Sequence, residues 1–260
     1  MPLVFTLIIR IGTQHTCRKA ACHERAAIVL NLAQLLQPRA HREILSNMQT
    51  YKQQFFELAM VRGNLKFGEF TLKSGRVSPY FFNAGGFDDG HSLQILAACY
   101  ARAILDSGVD FDMLFGPAYK GIPLATGIAI MLQSTHHRNV PVAYNRKEAK
   151  DHGEGGTLVG APLTGNVLIT DDVISAGTSV RESIDWIQQA GARACGVAIA
   201  LDRQERGNGS KSAAQEVVDE YGIPVVAIAG LGDLIDYLED QSVPNIDIAA
   251  IWRYREEYGI

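Results

Sequence analysis

Residues 166–179 read N-V-L-I-T-D-D-V-I-S-A-G-T-S, and this pattern decides the fold. Residues 167–170 are an apolar run rich in β-branched side chains, which predicts a buried strand. Two carboxylates, Asp171 and Asp172, follow at the point where this strand should end. A loop of small residues and a helical pattern come next. The segment therefore predicts a strand, an acid pair, a tight loop and a helix N-terminus in succession.

This succession suits the binding of a sugar phosphate. The free N–H groups and the positive dipole end of a helix attract phosphate, and Gly177 lets the backbone approach it closely. Ser175, Thr178 and Ser179 add hydroxyl donors, while the two carboxylates can accept hydrogen bonds from vicinal ribose hydroxyls. The alternative is a surface turn with a solvated acid pair. It is less favoured because the acids follow an apolar strand and precede a phosphate-type loop.

The composition indicates a globular chain that is not basic. Its 260 residues are 47% hydrophobic, which is enough for one domain with a small subdomain. A net charge of −4 argues against a global field for nucleic acid or anionic membranes. No apolar run approaches the roughly 20 residues that span a bilayer. The four cysteines form no C-x-x-C pair, so we expect a cytoplasmic protein.

The first 47 residues differ from the remainder because basic side chains outnumber acidic ones there. A transit peptide, a poorly ordered extension and translated upstream sequence are the three interpretations. We favour the last, with the true start at Met48, because the chain from Met48 onward reads as a complete enzyme. A zinc site is disfavoured because the candidate ligands lack spaced pairs. These candidates are His15, Cys17, Cys22 and His23.

From Met48 the pattern predicts an α/β fold with a small N-terminal hood around residues 48–90. Residues 65–83 contain two strand-like runs separated by a Ser-Gly turn, which predicts a hairpin. The strands and helices that follow alternate, so we expect a mostly parallel central sheet with helices on both faces. Phe81 and Phe82 end the hairpin, and either core packing or stacking on a flat substrate would explain them.

Two further segments carry cations. The loop at residues 116–121 lies between a predicted strand and a predicted helix, so Lys120 is either part of a second anion site or an ordinary solvated lysine. Residues 145–156 follow the next strand and contain almost nothing apolar. We expect this segment to be an exposed, mobile lid over phosphates, although most charged loops are merely solvated. Its cationic or titratable side chains are Arg146, Lys147, Lys150 and His152.

An arginine also lies at the end of the predicted strand that follows the central motif. Arg203 lies where that strand ends, and the carboxyl ends of parallel strands face the ligand crevice in α/β proteins. Its planar guanidinium suits a carboxylate. Arg206 could do the same or pair with a neighbouring acid.

Several motifs together resemble the bacterial orotate phosphoribosyltransferases of the type I phosphoribosyltransferase family, over essentially all of residues 48–260. They read L-K-F-G-E-F-T-L-K-S-G-R, S-P-Y-F-F-N-A-G, F-G-P-A-Y-K-G-I-P, Y-N-R-K-E-A-K-D-H-G-E-G-G, D-D-V-I-S-A-G-T-S and A-L-D-R-Q-E-R-G. The resemblance implies transfer of a phosphoribosyl group from 5-phosphoribosyl 1-diphosphate (PRPP) to orotate in pyrimidine (UMP) synthesis. Orotidine 5′-phosphate and pyrophosphate would be the products. It also implies Mg²⁺, held mainly by PRPP and water, and a homodimer in which part of residues 146–152 acts across the interface.

Site residues follow from the resemblance position by position. The implied catalytic residues are Lys147, Lys150, His152, Asp171 and Asp172. The implied PRPP contacts are Lys73, Tyr119, Lys120, Arg146, Lys147, Lys150, His152, Asp171, Asp172, Val173, Ile174, Ser175, Ala176, Gly177, Thr178 and Ser179. The implied orotate contacts are Phe81, Phe82, Ser175 and Arg203. Ser175 departs from the family, where many members have Thr, but it keeps the hydroxyl.

Two other functions compete with this interpretation. A purine or other pyrimidine phosphoribosyltransferase would share the central motif but would not need Arg203 opposite a carboxylate. A PRPP-sensing regulator of transcription or RNA could keep the fold without catalysis. Such a regulator should carry a basic face or an added helix-turn-helix, and the acidic chain offers neither.

Overall fold

A computed structural model of the chain describes residues 50–72, 74–150, 156–174, 177–207 and 209–260. The helices are α1 Thr50–Val61, α2 Gly90–Ser107, α3 Gly121–His136, α4 Thr178–Gln189, α5 Ala213–Tyr221, α6 Leu231–Asp240 and α7 Ile248–Tyr258. The strands are β1 Leu65–Thr71, β2 Val77–Phe82, β3 Met113–Gly116, β4 Val142–Lys150, β5 Gly156–Gly160, β6 Asn166–Thr170, β7 Arg193–Asp202 and β8 Val225–Gly230. A short 3₁₀ helix spans Ala84–Gly86.

Six strands form the central sheet in the order β5-β4-β3-β6-β7-β8. The pairs β4–β3, β3–β6, β6–β7 and β7–β8 are parallel, and only β4–β5 is antiparallel. The remaining strands, β1 and β2, form a separate antiparallel hairpin ahead of the sheet. The predicted fold class is therefore confirmed, including the mostly parallel sheet and the small hairpin.

Helices cover both faces of this sheet, and β6 shows how. Val167 and Ile169 pack in one core cluster with residues of α4 and α5, whereas Leu168 belongs to the opposite cluster with α1, α2, α3, α6 and α7. Because neither face meets water, the strand is apolar at consecutive positions instead of alternating with polar residues. No helix in the described ranges is long and apolar enough to cross a membrane.

The charged segment after Tyr144 differs from the sequence-based expectation. A loop from residue 145 was expected, but β4 continues to Lys150, and β5 had not been predicted at all. The two strands pair antiparallel, with Tyr144 opposite Val159 and Lys150 opposite Gly156. The expectation of a loop is wrong over residues 145–150 because hydrogen bonds between the backbones stabilise an extended chain without an apolar face. Edge strands commonly carry charged side chains.

The loop between β3 and α3 is so tight that it needs glycine at both ends. A Cβ atom on Gly116 would lie 2.2 Å from the carbonyl oxygen of Gly121. A Cβ atom on Gly121 would lie 2.6 Å from Cδ of Pro117 and 2.7 Å from the carbonyl oxygen of Thr170. A side chain at Gly116 would therefore force the two ends of the loop apart, and one at Gly121 would push the loop away from the end of β6.

We predict that Gly116→Ala lowers the free energy of unfolding by about 1–3 kcal/mol, the usual cost of an overpacked interior. The substituted methyl group would meet backbone atoms, which cannot rotate away. Urea denaturation measures the effect. Gly90→Ala is the control, since a Cβ there meets nothing within 4 Å. Equal stability of the two variants would contradict the close approach.

Candidate active site

The functional side chains meet at the carboxyl ends of the parallel strands. The loop after β3 carries Lys120, β6 ends at the acid pair, and Arg203 directly follows β7. The backbone of the acid pair is tied to β7, because Asp171 N–H donates to the carbonyl oxygen of Ala198 at 2.9 Å. The sheet order thus brings together at one edge residues that are far apart in sequence.

Both carboxylates of the acid pair are buried. One oxygen of Asp171 accepts a hydrogen bond from Ser179 Oγ at 3.0 Å, and the other accepts one from the N–H of Asp172 at 2.9 Å. From α2, Tyr100 donates its hydroxyl to the carbonyl oxygen of Asp171 at 2.7 Å. Tyr100 is not among the site residues predicted from the sequence, and no local signal identifies its partner. The acid pair is therefore fixed from both sides of the sheet.

Burial, with a smaller contribution from the neighbouring charge of Asp172, raises the pKa of Asp171 to about 6. Hydrogen bonds from the Asp172 backbone and the Ser179 hydroxyl oppose this rise, because they stabilise the ionised form. Above pH 6 the carboxylate is mainly ionised. It can then accept hydrogen bonds from hydroxyl groups of a ligand.

Lys120 binds the second acid directly. Its Nζ lies 2.6 Å from Oδ2 of Asp172, and about half of the lysine side chain remains exposed. Lys120 is therefore ion-paired and partly solvated in the free protein, and its contact with an anionic ligand stays a prediction. The lysine and the acid together present one cation and one anion at the same strand end.

The N-terminus of α4 is open to an anion. Gly177 precedes the helix with a φ of +71°, a conformation that favours glycine. Among the described residues, no side chain caps this end of the helix. Thr178 is exposed in the first turn, and Val173 and Ile174 lie half-buried between the acid pair and the loop. Free N–H groups and a positive dipole end are the features that bind phosphate.

The start of β4 supports the loop after β3. Buried Asn145 accepts a hydrogen bond at Oδ1 from the N–H of Ala118 at 2.7 Å. Two residues later, Lys147 places its Nζ 4.9 Å from the ring centroid of Tyr119, a largely exposed side chain. Arg146, between them, is half-buried. Sequence reasoning missed Asn145, although an asparagine where an apolar strand reaches the sheet edge was a usable signal.

Arg203 lies against the hairpin. Its Nε donates to Oε1 of Glu205 at 2.9 Å, its Nη2 donates to Oγ of Ser78 at 3.1 Å, and its guanidinium packs 4.4 Å above the ring centroid of Tyr80. On the same hairpin, Phe81 is partly exposed and its ring stacks on that of Phe70 at 5.6 Å. The β7 end therefore has a cation held against the hairpin by Ser78 and Tyr80, and the hairpin also carries the partly exposed ring of Phe81.

The other member of the aromatic pair lies in the core. The ring of Phe82 packs 5.7 Å from that of Phe55 and 6.3 Å from that of Phe87. Its predicted contact with a substrate stays a prediction. Several predicted positions lie outside the described residues, namely residues 1–47, Lys73, the side chain of Lys150, His152, Ser175 and Ala176.

The described ranges contain no group of three or more His, Cys, Asp or Glu side chains that could hold a metal ion. The acid pair offers hard oxygen donors of the kind that Mg²⁺ prefers. Two carboxylates do not complete six-fold coordination, so phosphate oxygens and water would have to supply the remaining ligands. This is how Mg²⁺ is usually held beside phosphorylated substrates.

Comparison with known proteins identifies close relatives. Residues 87–230 match the model of the phosphoribosyl transferase domain. The chain is 60% identical over 213 residues to the orotate phosphoribosyltransferase of Thioalkalivibrio sulfidiphilus and 58% identical to that of Pseudomonas aeruginosa PAO1; each match covers 82% of this chain and 100% of the relative. The solved orotate phosphoribosyltransferase of Francisella tularensis is 41% identical with a TM-score of 0.72, covering 79% of this chain and 99% of that one.

We predict that Asp171 titrates near pH 6 in the ligand-free protein, as carbon-detected NMR of its carboxyl group can measure. In Asp172→Asn the pKa should fall but stay above the usual 3.8, because burial is the larger cause. Because the pKa of Asp171 in the wild-type protein is raised, the native state binds more protons than the unfolded state between about pH 4 and pH 6. The free energy of unfolding should therefore decrease as pH rises through that interval. An Asp171 titration below pH 4 would contradict the prediction.

Proposed function

The chain belongs to the orotate phosphoribosyltransferase family, and from this membership we propose how its strand ends carry out the family's reaction. It transfers the phosphoribosyl group of PRPP to orotate, giving orotidine 5′-phosphate and pyrophosphate in de novo pyrimidine synthesis. One observation carries the assignment of the site. A buried acid pair lies between a lysine and the N-terminus of α4, which no described side chain caps, and this arrangement suits a ribose phosphate.

The acid pair and the loop behind it would hold the ribose 5-phosphate. Asp171 and Asp172 would accept hydrogen bonds from the 2- and 3-hydroxyls of the ribose, with Ser179 keeping Asp171 in place. The phosphate would bind the N–H groups at the start of α4, where Gly177 allows close approach. By resemblance, Ser175, Ala176 and Thr178 complete this cradle.

Departure of pyrophosphate builds negative charge on the leaving group and positive charge on the ribose. Most of the catalytic effect is therefore electrostatic. Lys120 follows β3 and Lys147 lies on the neighbouring strand β4; both would stabilise the leaving group, and Tyr119 lies next to Lys147. By resemblance, Arg146, Lys150, His152 and Lys73 join them. The acid pair would favour the cationic ribose.

Orotate would enter from the opposite side, next to the hairpin. Arg203 would bind its carboxylate with the planar guanidinium, and the exposed part of Phe81 would lie against the pyrimidine ring. These contacts orient N1 of orotate toward the anomeric carbon. Orientation of two reactants can supply several kcal/mol of the barrier reduction.

We propose Mg²⁺ as the metal of the reaction, held by PRPP oxygens and water next to the acid pair. When bound, it would neutralise part of the diphosphate charge. Asp171 and Asp172 are the described residues that could contribute oxygen ligands. Lys120 already pairs with Asp172 in the free protein, so the chain itself neutralises part of the negative charge of the acid pair.

We propose a homodimer with shared active sites. Lys147 approaches Tyr119 of its own chain, so the cross-subunit contribution would come from residues beyond it.

We also propose residues 48–260 as the catalytic unit. Residues 49–260 form one compact unit, and the segment from Met48 has the same length as the 213-residue match to whole relatives. Cys99 and Cys195 are free thiols, which agrees with a cytoplasmic location.

The reaction is tested by measuring pyrophosphate release from PRPP and Mg²⁺, with the full chain and with residues 48–260. We expect release with orotate and none with uracil, adenine or hypoxanthine, because only orotate offers a carboxylate to Arg203. Equal release with uracil would contradict the orotate assignment. An inactive 48–260 segment that is nonetheless folded would show that residues 1–47 are needed.

We predict that Lys147→Ala lowers kcat by roughly 100-fold, the usual effect of removing one donor that acts on transition-state charge. The KM for orotate should change little. Arg102→Ala is the control, since it removes an equal charge from an exposed pair with Asp106 on α2. Steady-state kinetics measure both variants, and an unchanged kcat in Lys147→Ala would remove this lysine from the mechanism.

A further inference from the structure

The segment at residues 202–207, which we call the arginine loop, is tied to two other parts of the chain. The hairpin reaches it through Arg76, whose guanidinium donates to the carbonyl oxygens of Arg206 and Gly207 at 2.6 and 3.1 Å. The end of α7 reaches it through the N–H of Arg206, which donates to the carbonyl oxygen of Tyr258 at 2.8 Å. The loop that carries Arg203 is thus held between the hairpin and α7.

Glu205 lies at the centre of these contacts. Its side chain is only 10% exposed. Oε1 accepts hydrogen bonds from the hydroxyl of Tyr80 at 3.0 Å and from Nε of Arg203 at 2.9 Å, and Oε2 accepts one from the hydroxyl of Tyr254 at 3.1 Å. Tyr80 belongs to β2 and Tyr254 to α7, so one carboxylate joins the hairpin, the last helix and the arginine loop.

These contacts fix the guanidinium of Arg203 in three directions. Glu205 binds the edge formed by Nε and Nη2, Ser78 holds Nη2 from the hairpin, and the ring of Tyr80 supports the face. The contacts with Glu205 and Ser78 use Nε and Nη2. The edge that includes Nη1 lies outside these two contacts, and we take it as the part of Arg203 that meets a ligand.

We propose that Glu205 is a positioning residue for orotate. It presents the Nη1 edge of Arg203 to the carboxylate of the substrate, and it makes this orientation depend on the packing of the hairpin and α7. The inference rests on the proposed role of Arg203 in binding orotate. Glu205 itself touches no substrate, since its oxygens are occupied by Tyr80, Tyr254 and Arg203.

Glu205→Gln tests the proposal because it keeps the shape of the side chain while removing the charge. The amide oxygen of Gln can still accept from Arg203 and Tyr80 in place of Oε1, but it carries no charge, and the NH₂ group cannot accept from Tyr254. The guanidinium should then be held less firmly. We expect the KM for orotate to rise about tenfold, the size expected when a hydrogen bond loses its charge assistance. The KM for PRPP should change less than about twofold.

Two comparisons separate positioning from a general loss of structure. In the Arg203→Ala background, which should itself raise the KM for orotate more than that for PRPP, Glu205→Gln should add almost nothing. Glu239→Gln is the matched control. It removes a carboxylate charge that ties α6 to α7 through Nε1 of Trp252 at 2.9 Å, without touching Arg203. It should leave both KM values unchanged.

The outcomes are distinct. A wild-type KM for orotate in folded Glu205→Gln overturns the proposal, and so does an undiminished effect of Glu205→Gln in the Arg203→Ala background. If Glu205→Gln does not fold, Tyr254→Phe removes one donor to Glu205 and should raise only the KM for orotate, by about twofold to fivefold; no change there overturns the proposal as well. Failure of the proposed function would show differently, as no orotate-dependent pyrophosphate release from the wild-type protein.

Discussion

Two adjacent carboxylates held away from water at the end of β6 are the constraint on which the rest of the site depends. Burial of a charge is costly unless partners compensate it. Ser179 compensates Asp171, and Lys120 compensates Asp172. These partners come from α4 and from the loop after β3. Gly116 lets the two ends of the loop meet, and Gly121 lets the loop approach Thr170 at the end of β6, so the tight packing of the loop and the electrostatics of the site are linked.

The same pairing shapes what happens when a substrate binds. In the free protein Lys120 is bound to Asp172, so in the proposed complex a diphosphate would share this lysine with the acid while the ribose hydroxyls reach the acid pair. An existing ion pair keeps the lysine at the strand end, which reduces the entropy lost on binding. The ion pair also weakens the attraction of Lys120 for other anions. Under the proposed assignment, cations held at the strand ends would bind the two anionic substrates although the chain has a net charge of −4.

Local pattern was enough to predict much of this arrangement. The apolar run before Asp171 predicted a buried strand, and the alternation of elements predicted the parallel sheet, because both depend on residues close in sequence. The antiparallel strand β5 was missed, since it has no apolar face and exists through its pairing with β4. Tyr100 was missed as a partner of the acid pair because the two lie 71 residues apart. Contacts of that kind become visible only when the fold is known.

Glu205 at the end of β7 and Asp172 at the end of β6 each form an ion pair with a nearby cation. In each case a buried acid holds a partly exposed cation at a strand end, and the cation keeps one side free for an anion. The two pairs differ in their surroundings. Asp172 is fixed by the sheet, whereas Glu205 takes hydrogen bonds from Tyr80 of the hairpin and Tyr254 of α7. In the proposed site, the diphosphate end would therefore depend on the sheet, and the orotate end would depend on the hairpin and α7, which pack outside it. A change in hairpin packing would then alter orotate binding first.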